Sequence, residues 1–262
     1  MTIVSDLKML FGFNNKYLIF NILSRNLKLK YRRSYLGFLW TVLVPGANAI
    51  VYYFVFHQVM RIQIPNHLLF LLAGILPWTF FSNSLIQCME SILQSHSLLN
   101  KVPLPPHIFP LSDVLTAFIN YLFSLPVLII IQISMIGFQP LGVLWLLVLS
   151  LLLFMQAYGL GLILAYTFVF LRDLRHLMGI VIQIWFYLTP IVYMQSMVPE
   201  KLKFIAYVNP VALIFNEIHE TFVFIGFINF ENLLYASIWS IGIALIAFYF
   251  FKKYNRTIVE SI

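Results

Sequence analysis

The fold class the sequence predicts is an all-α integral membrane protein. The expectation is six transmembrane helices, an N-terminal amphipathic interfacial helix, and short re-entrant or interfacial helices between spans five and six. Three observations carry that reading. The first is composition: 61% of the 262 residues are apolar and 10% are charged, against about 25% charged in soluble domains. The second is a series of six charge-free apolar stretches, Tyr35–Met60, Leu68–Met89, Val114–Ile136, Gly142–Phe170, Leu177–Met194 and Leu233–Phe251. A hydrocarbon core of about 30 Å takes roughly 20 helical residues. An open sheet in lipid would leave backbone groups unpaired, and barrel strands are shorter and alternate. The third is a charge asymmetry across the membrane those stretches define.

Lys8, Lys16, Arg25, Lys28, Lys30, Arg32 and Arg33 precede the first stretch, and Lys101, Arg172, Arg175, Lys252, Lys253 and Arg256 fall in breaks on the same side. Only Arg61, Lys201 and Lys203 oppose them. Positive loops stay cytoplasmic, so six crossings place both termini in the cytosol. The chain then divides into a cytosolic segment, 1–33, and a six-span domain, 34–262, with a cytosolic break at 94–110 and an outer loop at 195–232. The net charge of +7 fits this topology and anionic headgroups without calling on nucleic acid.

Along the chain, 16–33 reads as an amphipathic helix on the membrane surface. Phe20, Leu23, Leu27 and Tyr31 form its stripe, and Arg25, Lys28, Arg32 and Arg33 lie off it. Such a helix buries apolar groups at the headgroup boundary and turns cations toward phosphate. Pro45, Pro77, Pro126 and Pro190 interrupt spans, each freeing a carbonyl one turn earlier. The break at 94–110 holds a short helix, 95–102, before its prolines, and RDLRH at 172–176 reads as a membrane-edge turn. The outer loop carries apolar pieces at 204–208, 211–215 and 222–227, too short to cross, which read as re-entrant or interfacial helices. The start of the chain shows no secretory signal pattern.

Several chemistries are missing from the sequence. No glycine precedes a lysine, so there is no phosphate-cradling GxxxxGK[ST] loop, and neither HExxH nor CxxC occurs. Cys88 is the only cysteine and reads as a small buried hydrophobe. The spans' interiors hold no ionisable side chain, whereas ion-coupled carriers place such groups at mid-membrane. The energy source is therefore expected in a separate protein. Tyr53, Trp78, Phe80, Phe81, Tyr158, Trp185 and Tyr187 offer flat faces that could line a saccharide path, or pack as ordinary span aromatics.

The ordered segments RRSYLGFLW with Pro45, GILPWTFFSNS, NKVPLPPHIFPLS, FLRDLRHLMG and FYLTPIVY through YVNP resemble one family. It is the membrane subunit of ABC exporters for lipid-linked O-antigen, capsule or teichoic-acid polysaccharides, and the likeness runs from about residue 25 to 253. It implies a homodimer in the bacterial inner membrane, with two separate ATP-binding cassette subunits that hold ATP and Mg; this chain has no cofactor of its own. It implies a coupling helix at Ser95, Leu98, Leu99, Asn100, Lys101 and Val102, and gate helices over 198–225 with Pro199, Asn209, Pro210, Glu217 and His219. The cargo it implies is a polyprenyl-diphosphate-linked glycan, for which Arg25, Lys28, Arg32 and Arg33 are the expected entrance. His219 stands where the family carries arginine, which reads either as a less cationic, more pH-dependent outer gate or as a tolerated surface substitution. The alternatives are an integral-membrane transferase built on Glu90, His96, His107 and Asp113, or the same architecture carrying a small lipid or drug.

Overall fold

The computed structural model describes residues 13–32, 34–99 and 105–261, and only the backbone at 13–16 and 255–261. Five helical runs among them are long and apolar enough to cross a membrane. The first runs over Gly37–Val59 and comprises a 3-10 turn, helix α2 (Trp40–Tyr53) and a π-helical end. The others are α3 (His67–Gln94), α5 (Ile108–Ile136), α6 (Pro140–Phe170) and the apolar part, Phe230–Tyr254, of α10 (Phe230–Ser261). Shorter helices are α1 (Phe13–Tyr31), α4 (His96–Leu99), α7 (Leu174–Leu188), α8 (Phe204–Val208) and α9 (Ala212–Ile218).

This corrects the six-span expectation. The apolar stretch 177–194 is not a sixth long helix; α7 has 15 residues, about 22 Å of rise, and stops at Leu188. Proline disfavours helical conformation in the residue before it, and Thr189 is extended (φ −106°, ψ 136°). Its hydroxyl donates to the Trp185 carbonyl at 2.8 Å, satisfying an orphan acceptor of the last turn. Pro45, Pro77 and Pro126 stay within continuous helices.

The core is organised on α3, which is buried along nearly its whole length and packs against α5 and α6. Glycine allows the closest approaches. A Cβ at Gly161 would lie 2.8 Å from the Cys88 Cβ, and one at Gly159 would lie 2.6 Å from Ile243 of α10. Such small residues let membrane helices pack closely. Helices α6 and α10 run parallel: Trp145 meets Phe230, Gln156 meets Ser240, and Leu162 and Tyr166 share a cluster with Ala247 and Phe251. The connection 171–229 therefore brings the chain back to the end from which α6 starts.

Helix α1 leans along the first half of α5. Ile22 packs with Ile108 and Phe109, the Asn26 amide donates to Asp113 at 2.8 Å, and the Tyr31 hydroxyl bonds Asn120. The face that seats it is thus built on Ile22, Asn26 and Tyr31, while Phe20 of the expected stripe is exposed.

Candidate functional site

Two assemblies, one at each end of the bundle, hold most of the expected site residues. At the α1 end, α4 follows α3 through Ser95, whose carbonyl accepts from the amides of Leu98 and Leu99 at 3.0 Å. Leu98 and Leu99 then pack against Ile22 of α1 and Ile108 and Phe109 of α5. The RDLRH turn is pinned beside them: Arg175 Nε lies 2.8 Å from Glu90, which also accepts from Gln94 at 2.8 Å. Three segments far apart in sequence thus meet at one end. Asn100, Lys101 and Val102 lie outside the described residues, as does Arg33.

Arg25, Lys28 and Arg32 are exposed and line a shallow open groove on α1. Arg25 also donates to the Asn26 side chain at 3.3 Å, continuing the link to Asp113. The alternative acid–base set is dispersed among structural partners. Glu90 is held by Arg175, Asp113 by Asn26, and the His107 ring stands edge-on to Phe251.

The opposite end is built on a hairpin that dips into the bundle. Helix α8, the Asn209–Pro210 tip and α9 lead into a π-helical turn, His219–Val223. Gln156 of α6 donates to the Pro210 carbonyl at 3.0 Å and to Ser240 of α10 at 3.1 Å, while Gly142 of α6 faces the Thr221 carbonyl. Gly142 and Gln156 are 14 residues apart, so the hairpin reaches about 21 Å along α6, two-thirds of a core of about 30 Å. Every residue of 211–215 is buried. The carbonyl of Phe222 is held by Gln132 of α5 at 2.8 Å.

Asn209 ties the tip to α7. Its side-chain oxygen accepts from Trp185 Nε1 at 2.8 Å and from the Val211 amide at 3.2 Å. Its nitrogen donates to the Thr189 hydroxyl at 3.0 Å and the Leu188 carbonyl at 3.3 Å. Glu217, fully enclosed, accepts from the Asn229 amide at 2.8 Å and the Asn232 side chain at 2.7 Å. Asn229 in turn caps α10 through the Glu231 amide, so the carboxylate also favours the helix dipole. Pro199 is exposed at the start of a 3-10 turn.

His219 is 3% exposed, stacks on Phe70 at 3.8 Å, and has Nε2 3.1 Å from the Phe70 carbonyl. A carbonyl only accepts, so Nε2 carries the proton. Burial pushes the imidazole down to about 3. The ring is then neutral from mildly acid to neutral pH and lends the hairpin no switchable charge, against the reading of a pH-dependent gate. The pH dependence falls on stability instead. Free histidine titrates near 6.5, so below that value the unfolded chain binds a proton the folded one refuses. Stability is complete above about 6.5 and falls on acidification by about 1.4 kcal/mol per unit until about 3. We expect melting of the detergent-solubilised protein to weaken by about 2 kcal/mol between pH 6.5 and 5, and His219→Gln to flatten that slope. An identical slope in the variant would remove His219 as its source.

The seven expected path aromatics separate in space. Trp78, Phe81 and Trp185 form one cluster, with centroids 5.3–6.5 Å apart, joined by Phe186 and Phe215. Phe80 packs with Phe118 and Tyr121, and Tyr158 packs with the cluster around Tyr166. Tyr53 stacks on His57 at 4.8 Å, and Tyr187 is exposed. Gln132 and Gln156 were missed from sequence; an isolated amide inside each apolar stretch was the available signal.

Residues 17–223 match the family described as ABC-2 type transporter. Two Klebsiella pneumoniae proteins, each named O-antigen export system permease protein RfbA, are 34% identical over 191 residues, 72% of this chain and 73% of each relative. A Myxococcus xanthus protein of the same name is 35% identical over 184 residues, 70% of this chain and 71% of the relative.

Proposed function

The chain belongs to the ABC-2 type transporter family, and we propose that it is the channel-forming subunit of an ATP-driven polysaccharide exporter. It is a multi-pass membrane permease rather than an enzyme. In our reading it works as a homodimer in the bacterial inner membrane with two separate ATP-binding cassette subunits. The cargo is a polyprenyl-diphosphate-linked glycan, O-antigen by the names of the relatives. Residues 1–33 form the cytosolic segment and 34–262 the membrane domain, with both termini cytosolic.

The observation that carries this reading is the meeting of α1, α4 and the RDLRH turn at one end of the bundle, opposite the re-entrant hairpin. A force applied to α4 there reaches α1 and α5 through Leu98, Leu99, Ile22 and Ile108, and reaches α3 directly through Ser95. The basic face of Arg25, Lys28 and Arg32 would meet the diphosphate, for which guanidinium groups give paired hydrogen bonds. A second copy would cover α7 and the side of α2 next to it, away from Trp40 and Val44. These carry few buried residues of their own and are joined by Tyr52 stacking on Phe186 at 5.8 Å.

Two measurements test it. Deleting the gene should make lipid-linked glycan accumulate on the cytosolic face, and an unchanged distribution would refute an export role. In reconstituted complexes, Leu98→Pro should cut export at least about tenfold, since proline removes the Leu98 N–H from the Ser95 carbonyl and disfavours helical conformation at Ser97. ATP hydrolysis by the partner should persist. Normal export by that variant would discard α4 as the coupling element.

A further inference from the structure

The end of α1, the start of α2 and the facing sides of α3 and α5 enclose a cleft of about 230 Å³. It adjoins the open groove of Arg25, Lys28 and Arg32, with Tyr31 lining both. Thr79, Asn83 and Gln87 recur every four residues on α3, so one face of that helix presents them. Asn120 and Ser124 do the same on α5, and Lys30 closes the α1 side.

The hydrogen-bonding capacity left over in this cleft is uneven. Thr79 and Ser124 have given their protons to the carbonyls of Ile75 and Tyr121, at 2.7 and 2.6 Å, so toward the cleft they can only accept. The Asn120 oxygen is engaged by Tyr31, while its Nδ2 has no partner although the residue is 4% exposed. The amides of Asn83 and Gln87 make no hydrogen bond among the described residues. The Asn120 Nδ2 is fully enclosed, so the donors that remain free toward the cleft are those of Lys30, Asn83 and Gln87 on its accessible wall. No carboxylate lines the cleft. Its accessible donors are the Lys30 ammonium, the amides of Asn83 and Gln87 and the Trp40 indole, which suit anionic oxygen. Its remaining walls are apolar, and its mouth continues onto the exposed flank of α2 at Trp40 and Val44.

We propose that this cleft binds the phosphate head of an anionic membrane amphiphile in preference to a zwitterionic one, with its chain lying along α2. Phosphate oxygens take Lys30, Asn83 and Gln87, and any hydroxyl groups of the head donate to Thr79 or Ser124. Anionic phosphate oxygen is offered alike by a bulk anionic phospholipid and by a polyprenyl phosphate, and head hydroxyls by phosphatidylglycerol alone. The site stands on its own geometry and does not depend on the transport reading.

Trp40 supplies the probe. The full chain would be placed in phosphatidylcholine nanodiscs doped with brominated phosphatidylglycerol or brominated phosphatidylcholine. Subtracting Trp40→Phe isolates the Trp40 emission. We expect brominated phosphatidylglycerol to quench Trp40 about fivefold more effectively, the preference of roughly one lysine contact with an anionic lipid. Lys30→Gln with Asn83→Leu, both at exposed positions, should abolish the preference while circular dichroism stays unchanged. Relief of quenching by substoichiometric polyprenyl phosphate would make that lipid the occupant, and relief only by excess unlabelled phosphatidylglycerol would make it bulk lipid. Equal quenching by the two brominated lipids in the unaltered protein, or a preference that survives the double substitution, overturns the proposal.

Discussion

Valine at Gly74 is expected to stop export at least about tenfold below the unaltered protein, with insertion intact and a lower melting temperature. A Cβ there would sit 2.6 Å from the Ile191 carbonyl, 3.0 Å from the Ile191 side chain and 3.2 Å from His219 Nε2. Backbone cannot be that close, so one side must move. Helix α3 is held on both flanks by buried Ala73, Ile75 and Leu76 in the central core. The turn 189–194 and the hairpin behind His219 are the parts free to give. Overpacking of this kind costs about 1–3 kcal/mol. It would push the hairpin off α3 at the place where His219 and Phe70 hold it. Gly242→Ala is the control, because a Cβ there meets nothing within 4 Å and alanine favours helix. Unchanged export and melting in the Gly74 variant would mean that the hairpin is not seated on α3 in the working protein.

What the sequence made legible follows the hydropathy pattern and its punctuation. The outer piece read at 204–208 is helix α8, and the piece at 211–215 falls at the start of α9. Both were short apolar runs bounded by charge or proline, and such local signals survive folding. The fifth span was misread because Pro190 looks like Pro77 or Pro126 in its immediate surroundings. The difference is a tertiary one: Asn209, some 20 residues on, satisfies the Leu188 carbonyl and the Thr189 hydroxyl where the helix ends. Helix α1 was read by its apolar stripe, yet two of the contacts that seat it are polar, Asn26 with Asp113 and Tyr31 with Asn120. A periodicity argument sees only apolar spacing and cannot foresee a polar partner 87 residues away. For the same reason the expected aromatics went to different clusters, since abundance on a span says nothing about which neighbour each ring meets.

Asn209→Ala should be nearly as damaging as the change at Gly74, by a different route. One amide there satisfies Trp185, Val211, Thr189 and Leu188 at once, and the residue is 7% exposed. Removing it strands the buried Val211 N–H, at about 1–3 kcal/mol, and takes partners from the part-buried Trp185 N–H and the last carbonyl of α7. The hairpin tip would lose its link to α7 while Gln156 still held Pro210 from the other side. We expect the melting free energy to fall by on the order of 3 kcal/mol and the tip to become open to proteolysis. Asn209→Asp separates the two halves of the amide, since it keeps the acceptor for Trp185 and Val211 and loses the donor to Leu188 and Thr189. A double-mutant cycle with Trp185→Phe decides whether the indole contact is the core of the link. Coupling above about 1 kcal/mol is expected for residues sharing a buried hydrogen bond. Additive effects would place the stabilisation in the Thr189 and Leu188 bonds instead. The point at which α7 ends and the depth to which the hairpin enters are then set by the same amide.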